Sequence, residues 1–177
     1  MTMHDDFYQM YLEEIEIIPA CDTEETKALA ERLPEADIQA QNRLIEGKLK
    51  AVLMIAKEYA DQGVIMNDLV QEANMALTLY VQQFAGLAAA FEPGLEAAVR
   101  KALDQAVAEQ HQEKEIRENV AARVNVLQDI SRMMAEELGR EATVAELAAK
   151  MKMTEDEIKD IMKLTIDALS VSVDIQE

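Results

Sequence analysis

Apolar residues recur at spacings of three and four along nearly the whole chain, a pattern that fits amphipathic helices packed on one another and little else. Between Asp5 and Ile18 the repeat is Phe7, Met10, Tyr11, Ile15 and Ile18, and Pro19 stops it. Only five glycines and three prolines interrupt 177 residues that are rich in Ala, Leu, Met, Glu, Gln and Lys. Those side chains lose little freedom in a helix, so the fold class is all-α, with helices joined by short turns.

The segment Asp22-Thr23-Glu24-Glu25 reads as a capping box, with Asp22 accepting from the first turn and Glu25 reaching back, and a short helix runs from it to Leu33. Pro34 opens the next element, in which Ile38, Leu44 and Ile45 lead to Gly47. Beyond it Leu49, Val52, Leu53, Ile55, Ala56 and Tyr59 form a strongly apolar helix that ends near Gly63. Asn67 is the predicted cap of a helix reaching Phe84. At about 100° per residue, its Leu69, Val70, Ala73, Ala76, Leu77, Tyr80, Val81 and Phe84 share one sector. Opposite them lie Asp68, Gln71, Glu72, Met75, Leu79 and Gln82. Met75 and Leu79 on that outer face read either as scattered surface apolars or as a partner-binding stripe.

After the small tract Ala85 to Ala90, Pro93 opens a long helix with a narrow seam of Leu95, Val99, Leu103 and Val107. The polar stretch Glu109 to Glu118 is either an exposed helix or a boundary, and the division is placed there, giving domains 1–112 and 113–177. In the second, Val124, Leu127, Ile130, Met134 and Leu138 share a face closed by Gly139. Two capping boxes, Thr143 to Glu146 and Thr154 to Glu157, then open helices carrying Leu147, Ala148 and Met151, and Ile158, Ile161 and Met162. The pair forms a hairpin of helix-turn-helix type. The turn that would face a DNA groove is Glu155-Asp156-Glu157, which repels phosphates.

Charge narrows the function. Against 17 basic side chains stand 35 acidic ones, a formal charge of −18, and residues 1–83, 84–118 and 119–177 are each net negative. A chain of this balance is repelled by nucleic acid unless its cations gather on one face. Cys21 is the single cysteine and His4 and His111 the two histidines, which argues against a cysteine or histidine metal site and a Ser-His-Asp triad. Carboxylate pairs such as Glu13-Glu14 and Glu136-Glu137 diverge around a helix and read as solvated faces. No enzyme and no cofactor is expected. No run approaches the roughly 18 apolar residues of a membrane helix, and the opening MTMHDDFYQM lacks the pattern of a signal peptide, so the reading is cytoplasmic with no membrane partner.

Three blocks in order, YLEEIEIIPACDTEETKALAERL, QNRLIEGKLKAVLMIAKEYADQGVIMNDLVQEANMALTLYVQQF and EELGREATVAELAAKMKMTEDEIKDIM, resemble bacterial RNA polymerase sigma factors of the housekeeping type. The resemblance implies a sigma-like helical bundle followed by a three-helix domain, with a role in transcription initiation. DLVQEANMAL is similar to the family's polymerase-binding helix, which docks on the coiled coil of the largest catalytic subunit. Asp68, Leu69, Gln71, Glu72 and Asn74 match that motif position by position, and Met75 and Leu79 complete the predicted surface. Promoter DNA and a regulator of anti-sigma type are further partners the resemblance implies.

The next stretch, FAGLAAAFEPGLEAAVRKALDQAVAEQ, departs from the family. Ala97-Ala98 align with its paired tryptophans and Leu95 with the aromatic before them. Arg100 and Lys101 keep a basic position, and Arg117 and Arg123 are cations further along for DNA contact. Phe91 is the last aromatic, which leaves 86 residues without a base-stacking side chain. The tail ALSVSVDIQE resembles the start of the family's linker, beyond which the family has a C-terminal promoter-reading domain, so the chain is either a fragment of a longer protein or one that has lost that reader. The alternative reading is therefore a diverged paralogue that occupies the docking site without melting promoter DNA, as competitor or adaptor.

Overall fold

The computed structural model describes the backbone of residues 3–173 and the side chains of residues 7–164. Among the described residues the chain is all-α. Its helices are α1 (Met3–Glu16), α2 (Thr23–Ala30), α3 (Ile38–Lys57), α4 (Met66–Gln83), α5 (Phe91–Leu138), α6 (Val144–Met151) and α7 (Glu155–Val173), with 3-10 turns at Leu33–Glu35 and Ala88–Ala90. No described helix is long and apolar enough to cross a membrane. The tail from Ala168, read above as the start of a linker, lies outside the residues whose side chains are described, and its last four residues lie outside the described backbone.

The chain divides into two compact units, Met1–His111 and Gln112–Glu177. The core of the first is built on α3 against α4 and closed by the start of α5, with Leu44, Val52, Leu69, Leu77, Val81, Phe91, Val99 and Leu103 essentially inaccessible. Tyr80, Phe84 and Phe91 pack together with ring centroids 5.1–5.6 Å apart. Lys48 of α3 is buried and its ammonium is paired with Glu92 of α5, which satisfies a cation that would otherwise be costly to remove from water. Lower on α5, His111 Nε2 donates to the Gln62 carbonyl at 3.0 Å, fixing that ring's tautomer.

Several local expectations are corrected. Helix α3 runs straight through Gly47, where the sequence suggested a break. The chain between α1 and α2 crosses α3 at this point, and the Cys21 N–H donates to the Gly47 carbonyl at 3.1 Å. A Cβ on Gly47 would lie 2.2 Å from Cys21 Sγ, so the glycine permits a close crossing inside a helix. Glu25 does not reach back to complete a capping box: Asp22 accepts from the Glu25 N–H at 2.8 Å, but both Glu25 oxygens accept from Arg43, at 2.7 and 3.0 Å. Asn67 is not a cap either, because α4 begins one residue earlier with Ile65 at the cap and no side-chain bond there. In α1 the buried face is Tyr8, Tyr11, Leu12 and Ile15, which leaves Phe7 and Met10 exposed.

In the second unit Leu127, Leu147, Ala148, Ile158 and Ile161 form the core, with Val124, Ile130 and Met134 packed on it. Leu138 and Met162, expected on the same faces, are exposed. The polar stretch from Glu109 to Glu118, which runs from the end of the first unit into the second, is helical and mostly exposed, carrying the pairs Arg117–Glu113 and Lys114–Glu118 at one-turn spacing. Both capping boxes form. Thr143 and Glu146 exchange bonds across the first turn of α6, and Thr154 and Glu157 do so in α7. Arg140 adds a two-pronged contact to the Glu146 carboxylate at 2.8 and 3.0 Å.

These bonds favour the charged carboxylate. Arg140 first, then the Thr143 N–H and hydroxyl, hold the Glu146 pKa down at about 2, and Thr154 holds Glu157 below its usual value. A depressed carboxylate pKa gives stability that is present above the unfolded value, about 4.3, and is lost as pH falls through the folded one. The second unit is therefore expected to lose amide protection as pH drops from about 4.5 towards 2, and Glu146→Gln should flatten that dependence. Hydrogen exchange on the full chain checks this, and identical pH profiles for the two proteins would show the cap to be uncoupled from folding.

Candidate functional site

Helix α4 divides into a buried and an exposed face. Leu69, Val70, Ala73, Leu77 and Val81 are buried, whereas Asp68, Gln71, Met75 and Leu79 are exposed and Glu72 is half-buried. Met75 and Leu79 keep 47% and 52% of their surface, and they are one turn apart. Asp68, Gln71, Glu72, Met75 and Leu79 thus form one continuous patch. Two residues matched to the family motif lie apart from it. Leu69 is fully buried, so it anchors α4 in the core and cannot touch a partner. Asn74 is half-buried, its side-chain amide against the Tyr11 hydroxyl of α1 at 3.0–3.1 Å.

The Met75–Leu79 ridge has a groove on each side. Towards α1, Phe7, Tyr8, Tyr11, Asp68, Gln71 and Asn74 are among the residues that line a concavity of about 790 Å³. Towards α5, Glu72, Tyr80, Gln83, Ala98, Lys101 and Gln105 line a smaller one of about 290 Å³. The ridge and its two grooves can receive helices, with apolar contact at the centre and carboxylates at the rim.

The predicted DNA contacts are differently placed. Arg100 donates to Glu58 at 2.7 Å and to Glu96 at 2.9 Å. These carboxylates raise the guanidinium pKa further and pair its charge within the first unit. Lys101 is exposed at the lip of the α5 groove. In the second unit Arg117 lies 3.8 Å from Glu113, and Arg123 lines a small concavity with Glu157 and Asp160. Arg132 and Arg140 are also paired, with Asp129 and Glu146. Two aromatics that follow α4 serve the core: Phe91 is fully buried, and Phe84, partly buried, packs against it.

Sequence reasoning missed α1 as a neighbour of the α4 patch. Its only signal was the pair Phe7 and Met10, assigned to a buried face that the helix turns elsewhere.

Comparison with known proteins bears on what this surface is. Residues 122–177 match the family model for sigma-70 region 3. The chain is 34% identical over 170 residues to RNA polymerase sigma factor SigA of a Bacillus species, covering 96% of this chain and 45% of that protein. It is 34% identical over 179 residues to SigA of Clostridium acetobutylicum, covering 98% of this chain and 46% of the relative. SigA of Listeria monocytogenes is 30% identical over 175 residues, with 96% and 46% covered. The chain thus spans under half the length of these relatives. Alignments run through both units and a region 3 match covers most of the second, so the chain as a whole is similar to sigma factors of bacterial RNA polymerase.

Proposed function

We propose that this chain docks on the core of RNA polymerase through the outer face of α4 and acts in transcription initiation as a sigma-like protein without catalytic chemistry of its own. The observation that carries the reading is the exposed patch of Asp68, Gln71, Glu72, Met75 and Leu79 on a helix whose other face is fixed in the core. A coiled coil of the largest catalytic subunit is the partner element, its apolar seam meeting Met75 and Leu79. Regulators of anti-sigma type would compete for the same face.

A second reading is favoured by the arginines and aromatics. Arg100 is engaged by two carboxylates and Phe84 and Phe91 are packed together, so the means of holding a melted strand are weak beside those of docking. The chain then occupies the polymerase as competitor or adaptor. Single-stranded promoter DNA is accordingly expected to bind the isolated chain poorly at physiological salt, and a tight, salt-sensitive anisotropy titration would contradict this.

The deciding experiment titrates the full chain against purified bacterial core polymerase with a housekeeping sigma factor as competitor, then adds a promoter fragment with a pre-melted bubble. Competitive binding followed by capture of the bubble supports initiation, and competitive binding without capture supports the adaptor reading. Absence of competition rejects both.

A further inference from the structure

Phe7 and Met10 keep 61% and 55% of their surface although they lie on a helix whose other face is packed into the first unit. Phe7 shares a groove with Tyr8, Tyr11, Met75 and Leu79, so the exposed apolar surface of α4 continues onto α1. One polar contact ties these walls together: the Tyr11 hydroxyl against the Asn74 amide, 63 residues away in sequence, at 3.0–3.1 Å. Among the described residues lining the groove Asp68 alone is charged, and the sequences of α1 and α4 contain acidic residues but no lysine or arginine.

We infer that α1 is the second wall of the docking groove, that the groove receives a polymerase helix bearing an apolar stripe flanked by basic residues, and that Asn74 acts as a positioning residue that holds α1 in place through Tyr11. This rests on the docking reading above and adds Phe7 to the contact surface. The occupant follows from complementarity: an apolar floor requires an apolar stripe, and a lining whose one charged residue is Asp68, on helices without lysine or arginine, selects a basic flank. Asn74, matched to a family contact position, lines the groove with its amide bonded to the Tyr11 hydroxyl. Its effect on binding therefore passes through the placement of α1.

Phe7 is outside the core, so Phe7→Ser removes contact surface without removing packing. In a titration of the full chain against purified core polymerase it is expected to weaken binding about tenfold, with helical and tyrosine circular dichroism unchanged. Tyr11→Phe and Asn74→Ala should each weaken binding by a similar factor, and the double variant no further. Asn74→Asp, which retains an acceptor for the Tyr11 hydroxyl, should keep most of the affinity. If Gln71→Lys/Glu72→Lys abolishes binding while Phe7→Ser has no effect, α1 takes no part and the docking reading stands alone. If Tyr11→Phe and Asn74→Ala are additive, Asn74 touches the partner directly and the positioning role is overturned. If the unaltered chain does not bind core polymerase, the docking reading fails and this inference fails with it.

Discussion

Gly47→Val is expected to destabilise the first unit by roughly 3 kcal/mol, the upper part of the range for forcing extra methyl groups into a packed site. Two effects oppose each other at this position. Any other side chain would favour the helical backbone by up to about 1 kcal/mol, because glycine has more freedom to lose on folding. Against this, the first carbon added meets Cys21 Sγ at 2.2 Å and the Cys21 backbone nitrogen at 3.0 Å. The backbone neighbour cannot rotate away, and moving it would break the bond from the Cys21 N–H to the Gly47 carbonyl. The steric term therefore wins. Every tyrosine and phenylalanine lies at or before Phe91, so thermal unfolding followed by near-ultraviolet circular dichroism reports the first unit alone. Gly47→Ala should show a smaller loss, and Cys21→Ala should recover part of it by removing the sulfur. A raised midpoint for Gly47→Ala would mean that the two segments separate at this crossing more easily than so close an approach implies.

This position also shows what a sequence can and cannot disclose. Periodicity identified the outer face of α4 because a run of aliphatic residues at spacings of three and four stands against Asp68, Gln71 and Glu72. In α1 the apolar residues spread over a wider arc. Phe7, Tyr8, Met10, Tyr11 and Leu12 surround most of the helix, and only contact with α4 decides which of them are covered. Gly47 carried the local signature of a helix end, and the reason it is not one lies 26 residues earlier at Cys21. Long-range ion pairs were equally hidden. Glu25 is held by Arg43 and Arg100 by Glu58, pairs separated by 18 and 42 residues, so neither the failed capping box nor the masked arginine could be read locally. The two boxes in the second unit were legible because both partners lie within one turn of each other.

The family resemblance and the helix wheel agreed on α4 for different reasons, and the structure separates the parts. A motif match cannot tell a residue that touches a partner from one that holds the helix in place. Burial does so in part: Leu69 is inaccessible and Asn74 is bonded to Tyr11 of α1, whereas Asp68, Gln71, Met75 and Leu79 are exposed and Glu72 is half-buried.

Gln71→Lys/Glu72→Lys is expected to weaken binding to core polymerase by about a hundredfold at low salt. The double change removes one carboxylate and installs two cations opposite a basic partner, and like charges brought together in an interface cost several kcal/mol. Taking roughly 3 kcal/mol for the pair gives two decades in affinity. Because both positions are at least partly solvated, the loss should shrink as salt rises and the screening length falls to about 8 Å at physiological ionic strength. Leu79→Ala gives the contrast. Its side chain is already half covered, so docking gains about 1 kcal/mol from burying the remainder, which makes its loss roughly fivefold and insensitive to salt. Affinity measured across a salt series thus separates the charged rim from the apolar ridge. Neither change removes a core residue, and the helical and tyrosine signals should be those of the unaltered chain. Loss of those signals would place Gln71 or Glu72 in the fold, and full affinity with intact signals would move the docking surface away from α4.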